Sequence, residues 1–240
     1  MRMTRWPGTR SMACVAVVLA TLLGGSARAQ SPPVEPAHVE LPEGGSGSLL
    51  VMLTGIDGAP NHLGLARDFA RLGWVVHVVD SNRLSADPPA RLDALLERSL
   101  AQPQVRSAKA ALVGYSLGGW HVIAYGNRMP ARVAAAVAVY PSTSRVGEPQ
   151  AFLASPPVAV PTLLLAGAKD DFMNCCVIER ARELAAAAAS PAVRAPVVLV
   201  EYPQADHGFV LPAYPQVHRP EDAADALRRA DLHLRQYLPR

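Results

Sequence analysis

The sequence has few cysteines, no long apolar segment and no large excess of one charge, and each shortage excludes a class of protein. Only 3 of the 240 residues are cysteine, which leaves little scope for a disulfide framework. The apolar run at the amino terminus, Met12 to Leu23, spans about a dozen residues, whereas a membrane-crossing helix needs roughly 20. The formal net charge of +3 is small, and no basic segment outside the amino terminus predicts a nucleic-acid partner.

The first 29 residues have the three parts of a secretory signal peptide. Arg2, Arg5 and Arg10 form a basic region, an apolar region follows, and Ala27-Arg28-Ala29 fits the small-x-small cleavage pattern. The residue after the predicted cleavage site is Gln30 and not a cysteine, so no lipoprotein anchor is predicted. We expect cleavage after Ala29 and a periplasmic or secreted protein without a stable membrane anchor. Cleavage would remove four arginines and no acidic residue, which takes the formal net charge from +3 to −1.

The remainder predicts an N-terminal arm over 30–47 and a single α/β domain over 48–240. Strand candidates that are apolar on both faces alternate with helical segments, which indicates a mostly parallel sheet covered by helices on both faces. The link 141–160 lacks periodicity and is a candidate wall, or cap, of the substrate site. The predicted strands are 49–54, 74–79, 108–113, 133–140, 162–166 and 197–202, and the predicted helices are 62–72, 89–101, 117–127, 175–189 and 221–237.

The segment Gly114-Tyr115-Ser116-Leu117-Gly118 has the pattern of a nucleophile elbow, a sharp turn between a strand and a helix that carries a serine. Small residues two before and two after the serine let the strained turn close. We predict that Ser116 is the nucleophile and that the backbone N–H of Leu117 donates to an oxyanion. The second donor is expected in the loop after the first strand, at the backbone N–H of Ile56.

A serine nucleophile needs a base and an acid, and this architecture supplies them in the order Ser, Asp, His. Asp170 and His207 each follow a predicted strand, at the sheet edge where parallel α/β folds place their sites. Two alternatives remain: Asp170 as a helix N-cap with Asp171 as the acid, and His207 as a solvated loop residue. The other histidines are expected to be structural or solvent-facing.

At three motifs the chain resembles the dienelactone hydrolase family, which has the α/β-hydrolase fold. The motifs are Gly114 to Gly119, Gly167-Ala168-Lys169-Asp170, and Tyr202 to Phe209, and the likeness extends from about residue 48 to 238. The resemblance implies Ser116 as nucleophile, Asp170 as acid and His207 as base. It also implies a small-molecule ester, lactone or thioester as substrate, cleaved through an acyl-enzyme intermediate.

Two departures from the family bear on the substrate. The founding members use cysteine where this chain has Ser116, and they carry an arginine shortly after the histidine to hold a substrate carboxylate. Here Val210-Leu211-Pro212 follow the histidine. Since an unpaired buried charge is costly, we expect small uncharged esters to be preferred over dicarboxylic lactones.

The sequence also bears on the state of the cysteines and on whether the mechanism requires a cofactor. Cys14 leaves with the signal, so Cys175 and Cys176 remain as an adjacent pair. Two free thiols are favoured, because adjacent Cα atoms lie about 3.8 Å apart, below the usual disulfide range of roughly 4.4–6.8 Å. A vicinal disulfide and an intermolecular bond are the alternatives. The mechanism requires no metal and no organic cofactor. The competing functions are a ligand- or partner-binding protein without turnover and a peptidase or acyl-transfer variant.

Overall fold

The computed structural model describes residues 32–191 and 193–239. The predicted signal peptide and its cleavage site after Ala29 therefore lie outside the described residues. Within these ranges, no helix combines the length and the apolar character that crossing a membrane requires.

In the described part of the chain, seven strands form one sheet in the order β1-β3-β2-β4-β5-β6-β7. The short edge strand β1 pairs antiparallel with β3, and all other neighbours pair in parallel. This confirms the predicted fold class, a mostly parallel central sheet. The strands are β1 (His38–Glu40), β2 (Ser48–Leu53), β3 (Trp74–Val79), β4 (Ala110–Tyr115), β5 (Val133–Val139), β6 (Thr162–Gly167) and β7 (Val197–Tyr202).

Helices cover both faces of the sheet because β2 to β6 are apolar and almost wholly buried on both sides. One core cluster packs α1 and α6 against the sheet, and a second packs α2, α3 and α5 against the opposite face. The helices are α1 (Leu63–Arg71), α2 (Pro88–Leu100), α3 (Leu117–Ala124), α4 (Pro149–Ala154), α5 (Ile178–Ala187) and α6 (Pro220–Tyr237).

The structure differs from the sequence prediction in three places. The predicted arm contains β1, a short and mostly polar segment that joins the sheet by pairing antiparallel with β3. The predicted link 141–160 contains α4, which begins where the Glu148 carboxylate accepts backbone N–H bonds from Gln150 and Ala151. The helix predicted from residue 175 begins only at Ile178, because the backbone of its N-cap Val177 is not helical, with φ of −58° and ψ of 138°.

The later start of α5 places Cys175 and Cys176 in a loop, where they are joined by a disulfide bond. The expectation of two free thiols is therefore wrong for this structure. On a helix, adjacent side chains diverge by about 100°, whereas an irregular loop allows them to face each other. The vicinal pair was one of the alternatives that the sequence left open.

Candidate active site

Ser116 lies on a strained turn between β4 and α3, with φ of 51° and ψ of −110°. Two glycines allow this turn, since a Cβ on Gly114 would lie 2.3 Å from the Gly118 carbonyl oxygen. A Cβ on Gly118 would lie 2.2 Å from the carbonyl oxygen of Leu53 in β2. The backbone N–H of Ser116 donates to Val139 in β5 at 3.0 Å. The strand, the helix and the neighbouring strand thus fix the serine in a conformation that few non-glycine residues adopt.

His207 connects Ser116 to Asp170. One ring nitrogen, Nε2, lies 3.0 Å from Ser116 Oγ, and the other, Nδ1, lies 2.8 Å from Asp170 Oδ2. Both distances are within hydrogen-bond range. The three residues are 91 and 37 positions apart along the chain, and they meet because each follows the carboxyl end of a parallel strand. The structure thus brings together the three residues that the sequence singled out.

The Asp170 carboxylate is buried and uses both of its oxygens. Its Oδ2 atom faces His207, and its Oδ1 atom accepts the backbone N–H of Phe172 at 3.2 Å. It caps this turn and not α5, whose N-cap is Val177. The neighbouring Asp171 is exposed and lies at the pocket wall. Of the two aspartates, Asp170 is the one that contacts the histidine.

Two aromatic rings, which are not among the predicted site residues, enclose the imidazole of His207. Phe172 lies nearly parallel to it, with ring centroids 4.6 Å apart and planes 9° apart. Tyr140 approaches at 4.7 Å with the rings tilted by 59°. Tyr140 directly follows β5, so its position just past a parallel strand was a signal that could have found it. The two rings restrict the orientation of the imidazole and limit its contact with water.

Of the two predicted oxyanion donors, Ile56 lines the pocket beside Ser116, and Leu117 directly follows the serine as the first residue of α3. A Cβ on Gly55 would lie 3.6 Å from Ser116 Cβ, so the loop after β2 passes close to the serine. The Gly118 N–H donates to the Thr54 carbonyl at 3.0 Å, which ties this loop to the start of α3. Within the described part of the chain, the backbone N–H groups of Leu117 and Ile56 have no acceptor. Both are therefore available to a ligand.

A pocket of about 350 Å³ opens in front of Ser116. Its lining includes Asp57, Asp171 and Asp206 but no lysine or arginine among the described residues. No residue of the link 141–160 lines it, so the expectation that this link forms a wall of the site is wrong. The lining residues are Gly55, Ile56, Asp57, His62, Tyr115, Ser116, Tyr140, Asp171, Phe172, Asp206, His207, Gly208, Leu211, Tyr214, Gln216 and Val217.

A polar cluster at the pocket joins the loop after β2 to the segment after His207. The Asp57 Oδ2 atom accepts hydrogen bonds from Tyr214 Oη at 2.8 Å and from Asn61 Nδ2 at 2.9 Å. Burial, with the hydrogen bond to Asp57, raises the pKa of Tyr214. Since Tyr214 lies 157 positions from Asp57, no local pattern indicates this pair. The cluster fixes the loop that carries Ile56.

Two further histidines are buried, His62 at the pocket and His121 in α3. His62 Nε2 accepts the Gly55 N–H at 3.4 Å, and burial lowers the pKa of His62. Burial also lowers the pKa of His121, one turn into α3, to about 4. Burial thus favours the neutral form of both side chains.

One group among the described residues has the composition of a metal site. A ligand atom from each of Cys175, Cys176 and His207 lies within 4.8 Å of the others. The two sulfurs are joined in the disulfide, so neither is a thiolate in this state. In its oxidised form the group therefore lacks the ligands that a metal ion requires.

A sheet of this order, with a strained serine elbow after a central parallel strand, defines the class of α/β-hydrolases. The model of the dienelactone hydrolase family matches residues 66–238 of the sequence. The chain belongs to this family, which confirms the resemblance inferred from its motifs. No curated protein sequence matches it significantly.

Solved structures of the same fold include hydrolases. The dienelactone hydrolase from Anabaena variabilis has a TM-score of 0.60 and 18% identity, over 83% of this chain and 90% of that one. Est1E from Butyrivibrio proteoclasticus has a TM-score of 0.62 and 13% identity, over 81% and 91%. Esterase PE8 has a TM-score of 0.63 and 16% identity, over 85% and 100%. At these identities the similarity establishes the fold, and the family membership supports a hydrolase function.

Proposed function

We propose that this protein is a serine hydrolase that cleaves small uncharged esters, lactones or thioesters through an acyl-enzyme intermediate. The proposal rests on the position of the His207 imidazole, which lies within hydrogen-bond distance of both Ser116 Oγ and the Asp170 carboxylate. The family and its esterase-fold neighbours support the reaction class.

The mechanism follows from the positions of these groups. His207 Nε2 takes the proton of Ser116 as the serine oxygen attacks the substrate carbonyl. Asp170 holds the proton on Nδ1 and stabilises the imidazolium that forms. The free N–H groups of Leu117 and Ile56 bind the oxyanion. His207 then protonates the leaving group, and a water molecule activated by the same imidazole releases the acyl group from the serine.

The charges of the pocket support an uncharged substrate. Asp57, Asp171 and Asp206 line the pocket, and no lysine or arginine among the described residues does. A substrate carboxylate would face like charges without a cation to pair with. The volume of about 350 Å³ lies at the lower end of the range for small-molecule sites, roughly 300–1,000 Å³. Both features favour a small neutral ester.

A fluorophosphonate probe tests the proposal directly, because it reacts with an activated serine. We expect one adduct per chain, located on Ser116, and hydrolysis of a short-chain aryl ester by the same preparation. The Ser116→Ala variant should fold normally, bind no probe and lose the esterase activity. An unlabelled wild-type protein would instead support a binding protein without turnover. An aryl esterase activity retained by Ser116→Ala would reject Ser116 as the nucleophile.

We also propose that the protein is exported, on the basis of the amino-terminal pattern described above. The mature chain should begin at Gln30 and occur in the periplasmic or extracellular fraction. Mass spectrometry of the amino terminus tests this, and an intact Met1 in the mature protein would contradict it.

A further inference from the structure

The turn that follows Asp170 holds the pair Cys175 and Cys176 next to His207. Both cysteines follow Asp170 by only a few residues, on the same turn that places Phe172 against the imidazole. The backbone of this turn is fixed by the Ser144 N–H, which donates to the Cys175 carbonyl at 2.8 Å. One ligand atom from each cysteine and from His207 lies within 4.8 Å of the others. The fold therefore holds two sulfurs close to the base of the proposed mechanism.

We propose that reduction of the Cys175–Cys176 disulfide creates a site for a thiophilic divalent cation, formed by the two sulfurs and His207, and that occupation of this site stops hydrolysis. The inhibitory effect rests on the proposed function, whereas the binding of the cation does not.

The cation site forms in two steps, reduction of the disulfide and then binding of the cation. A dithiol reductant exchanges with the disulfide, which transfers two electrons and two protons to the cysteines and leaves the reductant as its own disulfide. The cation then replaces the two thiol protons and binds two thiolates and one neutral imidazole nitrogen. Two thiolates and an imidazole are ligands that suit Zn²⁺ and softer ions such as Cd²⁺. The fourth position would be taken by water or an anion.

The distances permit this arrangement after a small movement. With metal–ligand bonds of about 2.0–2.3 Å, the ligands of a tetrahedral site lie roughly 3.3–3.8 Å from one another. The three ligand atoms already lie within 4.8 Å, so each side chain needs to move by about an ångström. Cys175 is only half-buried, which gives a reductant and a cation access to the pair.

Binding of a cation would inhibit hydrolysis whichever ring nitrogen it uses. At Nε2 it would replace the contact with Ser116, and the serine would lose its base. At Nδ1 it would replace the contact with Asp170, and the imidazole would lose its orienting carboxylate. A metal-bound imidazole nitrogen has no lone pair left to accept a proton. The site is therefore inhibitory and takes no part in the reaction.

Titration of the purified protein with CdCl2 tests the site. Equilibrium dialysis gives the affinity of each form without any measurement of activity, and the thiolate-to-cadmium charge-transfer absorbance shows whether the cysteines are the ligands. All samples carry Cys14→Ser, so that the pair supplies the only cysteines. We expect the reduced protein, freed of reductant under nitrogen, to bind one Cd²⁺ about 100-fold more tightly than the oxidised protein of identical sequence. Cys176→Ser should abolish the tight binding, and His207→Gln should weaken it by about 10- to 100-fold.

The activity is measured on the same samples, relative to reduced protein without metal. One equivalent of Cd²⁺ should inhibit reduced protein almost completely, EDTA should restore the activity, and oxidised protein should be unaffected. Equal affinity of the reduced and oxidised forms, tight binding by Cys176→Ser, or full activity of the cadmium-bound form would each overturn the proposal. A protein without any esterase activity would refute the proposed function, and the cadmium absorbance would still decide whether the site exists.

Discussion

Replacement of Asp170 by asparagine is expected to remove almost all turnover and leave the fold intact. Asparagine has the same shape as aspartate, and its amide oxygen can keep the hydrogen bond from the Phe172 N–H, which Asp170 Oδ1 accepts at 3.2 Å. The amide nitrogen then takes the position of Oδ2, 2.8 Å from His207 Nδ1. The amide therefore presents an N–H donor where the wild-type protein has an acceptor.

This exchange reverses the tautomer of the imidazole. With a donor facing Nδ1, this nitrogen must be unprotonated, and the proton moves to Nε2. Nε2 lies 3.0 Å from Ser116 Oγ, and a protonated Nε2 cannot accept the serine proton. In other triads the same substitution lowers kcat by about 10⁴-fold, which corresponds to about 5 kcal/mol of activation free energy. We expect a loss of this order.

The assay compares kcat of Asp170→Asn and Asp171→Asn with that of the wild type, on a neutral short-chain aryl ester. Asp171 is the matched control, because it is the adjacent residue but is exposed. Its substitution should change kcat by less than about threefold, since a surface charge is largely screened. Circular dichroism and the melting temperature check that both variants fold. If Asp171→Asn proved the more damaging change, the acid would have to be reassigned.

Three further predictions follow from packing, burial and charge. Gly118→Ala should lower the free energy of unfolding, measured by urea titration, by about 3 kcal/mol or more, because its Cβ would lie 2.2 Å from the Leu53 carbonyl oxygen. Gly64→Ala is the control, since no atom lies within 4 Å of the added Cβ. His121 has a folded-state pKa of about 4 against 6.5 in the unfolded chain, so the unfolded chain binds the extra proton as the pH falls. Proton binding by the unfolded chain should lower the free energy of unfolding by about 2 kcal/mol between about pH 7.5 and about pH 5. If the His121→Gln variant lost the same amount over this pH range, His121 would be excluded as the cause. A neutral ester should be hydrolysed with a higher kcat/KM than a carboxylated analogue of similar size, whereas a tenfold preference for the carboxylated ester, about 1.4 kcal/mol, would require an anion site in the pocket.

The sequence by itself was sufficient to predict six of the seven described strands, all but β1, and the position of the serine. β3 and β7 have the predicted bounds, since continuous apolar runs between helical segments indicate buried parallel strands. The elbow was predictable because its glycines, its serine and the flanking strand and helix are all contained in one short segment. The meeting of Asp170 and His207 with Ser116 was predictable for a related reason: each lies a few residues past a recognisable strand.

Only the tertiary structure decided which residues surround these groups. The contact between Asp57 and Tyr214 joins positions 157 apart, and the rings of Phe172 and Tyr140 meet at His207 from two different loops. The Cys175–Cys176 bond depends on where α5 begins, and the non-helical backbone of Val177 sets that start. A periodic sequence pattern indicates which face of a helix or strand is buried, because residues at a fixed spacing along the element lie on the same face. It does not record which loops meet, since this depends on the packing of elements that are distant in the sequence.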